Sequence, residues 1–176
     1  QVKTVIPYFL NFINKIPNIN SLAKVKNETL MRYWEGLGYY SRARNLKNTA
    51  IKVLKEYKGR LPSSVEELKT LPGIGDYTSR AIMAIAFNKK IIPLDGNIER
   101  ILKRVFYLRK EDEISKEYLN SKIHFFGSSN RASDYAQAIM EIGALVCKPN
   151  NPLCIKCPIS LNCKSLKIND FTIKTK

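Results

Sequence analysis

Apolar residues recur at helical spacing along almost the whole chain. Val2, Ile6, Phe9 and Ile13 mark one face of a first helix, Leu30, Trp34 and Leu37 a second, and Leu46, Ala50, Val53, Leu54 and Tyr57 a third. Strand-like alternation is scarce, so an all-α fold is predicted. Ser63 and Ser64 stand three positions ahead of Glu66 and Glu67, the spacing of a capping box, which predicts a short helix reaching Leu71 just before Pro72. Asp76 is placed to cap the next helix, which carries Ile82, Ile85 and Ala86. Further helices are predicted over Asn97 to Val105, Ser115 to Phe126 and Arg131 to Val146, with glycine and proline at the joints. No internal repeat is present. The softer stretches are the charged run Leu108 to Ile114 and the lysine-rich tail after Cys163. The longest apolar run, Ala81 to Phe87, is far too short to span a bilayer.

Charge narrows the choice of partners. Thirty Lys and Arg against 15 Asp and Glu give a formal net charge of +15 in 176 residues, which favours a polyanion such as nucleic acid through long-range attraction and counterion release. Part of that excess is solvated surface in a chain rich in Lys, Asn and Ile. The four cysteines, Cys147, Cys154, Cys157 and Cys163, are spaced C-x6-C-x2-C-x5-C and are the only ones in the chain. Four thiolates so close together can wrap one inorganic centre. A chain this long builds a core without disulfide staples, so a reducing compartment is expected. Zinc and an iron–sulfur cubane both take four thiolates, and spacing alone does not separate them.

Three further segments carry chemistry. Leu71-Pro72-Gly73-Ile74-Gly75 lies between two predicted helices, and its glycines allow a tight turn and close approach to the main chain. Amides at the start of the following helix suit a phosphate, without base-specific contacts. Structural glycines at a helix–turn–helix corner are an alternative reading. A dinucleotide fingerprint fails, because Thr78 takes the third glycine's place and no strand precedes the loop. Next, Asp95 in Pro93-Leu94-Asp95-Gly96-Asn97 stands just ahead of a helix, where it either caps that helix or stabilises a sugar cation during glycosidic cleavage. Finally, Gly36-Leu37-Gly38-Tyr39-Tyr40-Ser41-Arg42-Ala43-Arg44-Asn45 offers aromatics to bases and guanidinium groups to phosphates. The ordinary reading there is Tyr40 in the core and the arginines in solvent.

Together these segments resemble the adenine DNA glycosylases of the MutY type, within the helix–hairpin–helix base-excision superfamily. The resemblance runs from Gln1 to about Cys163. Gln1-Val2 with Thr4 to Phe9 is similar to the end of the family's first motif. The Gly36 to Leu46 segment is the part most particular to adenine glycosylases, Leu71 to Gly75 is the hairpin, Leu94 to Asn97 carries the aspartate, and the cysteines match the [4Fe–4S] loop. The resemblance implies a helix–hairpin–helix glycosylase fold, with residues 21–105 as a helical barrel and residues 1–20 plus 106–176 as a cluster domain. It implies a [4Fe–4S] cofactor held by Cys147, Cys154, Cys157 and Cys163. Asp95 would stabilise the sugar cation, with Asn97 ordering the site. Tyr39 would wedge into the duplex, and Gly73 and Gly75 would hold a phosphate. Arg42, Arg44, Lys148 and Lys156 would meet DNA, while Gln137 would face the adenine. Tyr77 occupies the hairpin-helix position where endonuclease III-like enzymes put a Schiff-base lysine, which implies a monofunctional glycosylase.

The sequence departs from the family at both ends. The family's general acid is a glutamate a few residues upstream of the position of Gln1, whereas the first carboxylate here is Glu28. The family's 8-oxoguanine-reading domain normally follows the cluster. The sequence is therefore expected to be a fragment or a truncated product, a monomer of the bacterial cytoplasm associated with the nucleoid, acting on duplex DNA that contains an adenine mismatch. Three other readings stand beside it: an inactive DNA-binding module, a zinc-stapled helical nucleic-acid binder, and a sister glycosylase acting on mismatched thymine or uracil. His124, the sole histidine, reads as a surface or packing residue.

Overall fold

The structure, a computed structural model, describes residues 2–109 and 114–172. The middle of the predicted charged stretch (residues 110–113), the end of the tail (residues 173–176) and the side chains of residues 2–4 lie outside the described residues. Among the described residues every element is helical and no strand occurs. By contacts the chain forms two compact units, Gln1–Ser79 and Arg80–Lys176.

The first unit holds α1 (Val2–Lys15), α2 (Ile19–Lys24), α3 (Asn27–Trp34), α4 (Tyr40–Glu56) and α5 (Val65–Lys69), and α6 (Asp76–Ile85) begins in it. Its core gathers Ile16, Leu22, Leu30, Ala43 and Ala50, with Phe12 and Trp34 meeting edge-on at 6.0 Å. The face predicted for α1 is not the one it buries: Ile6, Phe9 and Ile13 are exposed, Phe9 by 58%, while Phe12 and Ile16 pack inward. The apolar residues of α1 form one broad stripe, and only its edge at Phe12 packs inward, so periodicity found the stripe but not which part of it is covered. Helix α2 escaped the pattern because it is short; a reciprocal capping box between Asn18 and Ser21 starts it. Leu37 lies beyond the end of α3. Ser64 caps α5 as the spacing required, accepting from the Glu67 amide at 3.2 Å. Asp76 is the first residue of α6 rather than its cap, since the Gly75 carbonyl receives the Ser79 amide. Ile85, one of the apolar residues that marked α6 in the sequence, is exposed, and α6 buries Ser79, Met83 and Ala84.

The second unit is organised by α7 (Gly96–Phe106), joined by α8 (Lys116–Lys122), α9 (Ala132–Glu141) and α10 (Lys164–Lys167). Ile98, Ile101, Leu102 and Val105 of α7 are buried against Leu119, Phe126 and Ile139. Each such side chain contributes about 1.5–3 kcal/mol by leaving water. Helix α9 continues into a π-helical turn, Ile142–Val146, that delivers the chain to Cys147. The tail after Cys163 is more ordered than its lysines suggested. Tyr107 Oη donates to Asp170 at 2.6 Å, and Asp170 also accepts from the hydroxyl and amide of Thr172. The Thr172 hydroxyl, then the bond from Tyr107, hold the Asp170 carboxyl down at about 2.

Candidate nucleic-acid interface and cluster loop

In the first unit, α4 carries both the aromatic segment and the support of the hairpin. The loop before it closes when Trp34 Nε1 donates to the Gly38 carbonyl at 3.0 Å. Tyr39 then caps α4 in the left-handed region, φ 48° and ψ 53°, an uncommon conformation for a bulky side chain. Its ring is 77% exposed, and the Arg42 guanidinium lies 4.8 Å from the ring centroid. Tyr40 is exposed as well, so its assignment to the core is corrected, and Arg42 and Arg44 are both exposed. One turn further on, α4 faces the hairpin. Thr49 Oγ1 donates to the Pro72 carbonyl at 2.9 Å, and Lys52 Nζ to that of Thr70 at 2.9 Å.

The two hairpin glycines differ. Gly73 has φ +75°, and a Cβ there would meet Asn45 Nδ2 at 2.6 Å and Asn45 Cβ at 2.8 Å. Gly75 needs neither positive φ nor clearance, and a Cβ would find open space. Conformation demands glycine only at Gly73. At Gly75, the absent side chain leaves the exposed main chain bare where α6 begins. Gly73→Ala is therefore expected to weaken duplex binding about fivefold or more, from strain of order 1–3 kcal/mol at positive φ, whereas Gly75→Ala lowers affinity without lowering the melting temperature. Fluorescence anisotropy and thermal unfolding on both variants check this. Tyr77, in the first turn of α6, is 43% exposed.

In the second unit, Asp95 does the capping that its position allowed: Oδ1 accepts from the Ile98 amide at 2.7 Å. The carboxylate is only partly buried, and its other oxygen takes a long 3.3 Å bond from Asn97 Nδ2. Asn97 Oδ1 accepts from Arg100 Nη2 at 2.9 Å. Arg100, 5% exposed, reaches on to the carbonyls of Gly143 at 2.6 Å and Cys147 at 2.8 Å. A hydrogen-bonded string thus runs from the main chain of the cysteine loop to the candidate carboxylate. Burial pushes the Arg100 pKa below its ordinary value, Arg104 adds to this, and Cys147 and Asp95 oppose it.

All four thiols are free, and together with Arg104, Leu153, Leu166 and Phe171 they line one small cavity. Among the described residues no three His, Cys, Asp or Glu side chains are gathered tightly enough to share a single metal ion. Burial raises the pKa of Cys154 and Cys157; neighbouring thiols add to the rise at both, while at Cys157 the backbone bond with Ile159 opposes it. Lys148 and Lys156 are exposed beside the cavity's cysteines. Gln137 is exposed on α9, its amide donating to the Ser133 carbonyl at 3.3 Å and hydroxyl at 3.2 Å. The exposed His124 borders a separate cleft of about 680 Å3, with Arg80, Lys90 and Tyr135, that includes neither Asp95 nor any cysteine. Sequence reasoning passed over Arg100 and Arg104. Their signal was two cations one turn apart on a helix otherwise built to be buried. It also passed over Asn45 and Thr49, whose roles depend on the fold alone.

A glycine hairpin opening one helix and an aspartate capping another, in an all-α chain, define a helix–hairpin–helix protein. The chain belongs to the HhH-GPD superfamily of base excision DNA repair proteins, whose family model matches residues 1–124. It is 41% identical over 166 residues to the adenine DNA glycosylase of Buchnera aphidicola subsp. Baizongia pistaciae, covering 94% of this chain and 47% of that protein. To the adenine DNA glycosylase of Homo sapiens it is 39% identical over 168 residues, covering 94% and 31%. The chain thus spans about half or less of the length of these relatives. Among solved structures, a thermostable thymine-DNA glycosylase superposes with a TM-score of 0.82 at 26% identity, covering 93% of this chain and 76% of the other. Endonuclease III in a non-covalent DNA complex shares the fold, with a TM-score of 0.80 at 24% identity over 96% and 78% of the two chains.

Proposed function

We propose that residues 1–176 form the DNA-gripping and sugar-facing part of an adenine DNA glycosylase, which hydrolyses the N-glycosidic bond of adenine mispaired with 8-oxoguanine or guanine. The observation that carries this reading is Asp95: a carboxylate only partly buried, fixed by one oxygen to the start of α7, in a chain of this family and this basic charge. Relatives named adenine DNA glycosylase across 94% of the chain support the choice of base.

In the mechanism, the hairpin backbone at Gly73 and Gly75 holds a phosphate, and Arg42, Arg44, Lys148 and Lys156 add cationic contacts. Tyr39 enters the base stack, and the adenine swings out. Gln137 faces the extruded base, exchanging its bond to Ser133 for one to adenine. As the glycosidic bond lengthens, the bonding pair leaves with the base and positive charge grows on the deoxyribose, where the Asp95 anion stabilises it. Asn97 keeps that carboxylate in place. Water then adds to the sugar, leaving an abasic site. Tyr77 has no amine with which to form an imine, so the strand is not cut. The departing adenine requires a proton, and no carboxylate within residues 1–176 is assigned to give it; Glu28 is exposed at the start of α3.

Four thiols around one cavity, with a buried arginine beside them, fit a [4Fe–4S] cluster held by Cys147, Cys154, Cys157 and Cys163. When bound, the cluster supplies a rigid node for the basic loop.

The 176-residue chain is expected to bind a duplex carrying adenine opposite 8-oxoguanine, and to excise adenine at least about 100-fold more slowly than a glycosylase with its general acid. Single-turnover assays with adenine, thymine and uracil mismatches test this. Excision of adenine at an ordinary enzymatic rate overturns the account of the acid, and preferential release of thymine or uracil overturns the choice of base.

A further inference from the structure

Arg104 is the most deeply buried charged residue described in this protein, at 2% exposure. It lies on α7, nine residues past Asp95, and lines the cavity ringed by the four cysteines. Two of its donors hold the loop that follows the first cysteine: Nη1 bonds the Lys148 carbonyl at 2.6 Å and Nη2 the Pro149 carbonyl at 2.7 Å. Nη1 also stands 3.4 Å from the Cys147 sulfur, within range of an N–H···S bond. The Arg104 carbonyl receives the Cys163 thiol at 3.7 Å, so the residue touches both the first and the last cysteine. Phe171 covers the guanidinium, its ring centroid 5.6 Å away.

One donor atom is unused. Arg104 Nε is buried with no hydrogen-bond partner, so it has lost water without replacement. A buried guanidinium is also a full positive charge, and no carboxylate is paired with it among the bonds and bridges described. Carbonyl dipoles alone compensate a buried cation poorly. Both deficits point the same way: the space beside Arg104 suits an anion that accepts N–H bonds through sulfur.

We propose that Arg104 is the internal counter-cation of the cluster, setting its reduction potential and its retention; the inference rests on the [4Fe–4S] reading of the four cysteines. Four thiolates and a cubane core carry net negative charge. N–H···S bonds and a nearby cation withdraw electron density from sulfur and stabilise the reduced state of any couple the cluster undergoes, which raises its potential. Arg104 is a positioning and tuning residue with no contact to DNA in this account. Lysine keeps the charge but not the planar fork, so it cannot hold the Lys148 and Pro149 carbonyls and the sulfur together.

The test uses the loaded 176-residue chain, wild type, Arg104→Lys and Arg104→Met. Iron and acid-labile sulfide in equal amounts with brown visible absorption are expected in the wild type, and a preparation lacking both sinks the cluster reading itself. Given a loaded wild type, voltammetry is expected to place the potential of Arg104→Lys below wild type and that of Arg104→Met lower still, with iron released to a chelator about tenfold or more faster. Resonance Raman spectra of the wild type, which need no variant to fold, are expected to show Fe–S stretching bands that shift on transfer to D2O. Identical potentials in all three loaded proteins, or Fe–S bands indifferent to D2O, overturn the proposal and leave Arg104 as a loop anchor.

Discussion

Asp95→Asn is expected to abolish excision while leaving folding and mismatch binding almost unchanged. The reason lies in the two uses of one side chain. Oδ1 caps α7 through the Ile98 amide, and asparagine caps helices as well as aspartate does. The substitution therefore keeps the cap and removes only the negative charge. The amide it introduces opposes Asn97 Nδ2, but that bond is already long at 3.3 Å, so the expected destabilisation is about 1 kcal/mol or less. Loss of a preorganised charge beside a forming sugar cation costs on the order of a thousandfold in rate, or more. In catalytically competent protein, single-turnover excision should fall by at least that factor, with the dissociation constant for a mismatch duplex within about threefold of wild type, a change worth about 0.7 kcal/mol. Asp95→Ala differs: it removes the cap too, and loses about 1 kcal/mol of stability in addition. Equal loss of binding and cleavage in Asp95→Asn would mean that capping is the whole of its role.

The same residue marks how far the sequence can be read. That Asp95 precedes a helix and can cap it follows from its position ahead of Ile98 and Ile101; that its carboxylate stays partly accessible does not, because burial depends on what packs around it. Helix α7 was legible because its apolar residues form one stripe. Helix α1 was legible as an amphipathic helix but not as a packed surface, since Val5, Ile6, Phe9, Leu10, Phe12 and Ile13 share one broad stripe and only contacts decide that its Phe12 edge is the part covered. The hairpin glycines looked equivalent in the chain, yet backbone angle and the neighbour Asn45 single out Gly73. Arg100 and Arg104 resisted reading for a different reason. A cation is assigned to solvent by default, and the carbonyls that receive these two lie more than forty residues away, in the turn and loop around the first cysteine. Charge in a sequence therefore has two destinations here: an exposed set for a polyanion, and a buried pair that ties α7 to the cysteine loop.

That tie predicts a large effect at a residue with no side chain. Gly143, in the π-helical turn, approaches α7 so closely that an added Cβ would lie 2.6 Å from Asn97 Cβ and 3.3 Å from its Cα and carbonyl carbon. None of these atoms is the flexible end of a side chain, so Gly143→Ala must displace either the turn or the opening of α7. Overpacking of this kind costs about 1–3 kcal/mol, and in a chain of this size each kilocalorie lowers the melting temperature by roughly 2–4 °C. The displacement acts on the 2.6 Å bond from Arg100 to the Gly143 carbonyl and, through Asn97, on the Asp95 carboxylate. A shift of about 1 Å at a reacting group costs on the order of a hundredfold in rate. In catalytically competent protein, Gly143→Ala is thus expected to lower both the melting temperature and the excision rate, the second by far more than the lost fraction of folded protein explains. Gly96→Ala supplies the stability control, because no atom lies within 4 Å of a Cβ built there and its backbone angle is ordinary. If Gly143→Ala melts early yet excises at the wild-type rate below its melting point, the string from the cysteine loop carries stability alone, and the placement of Asp95 must come from its cap.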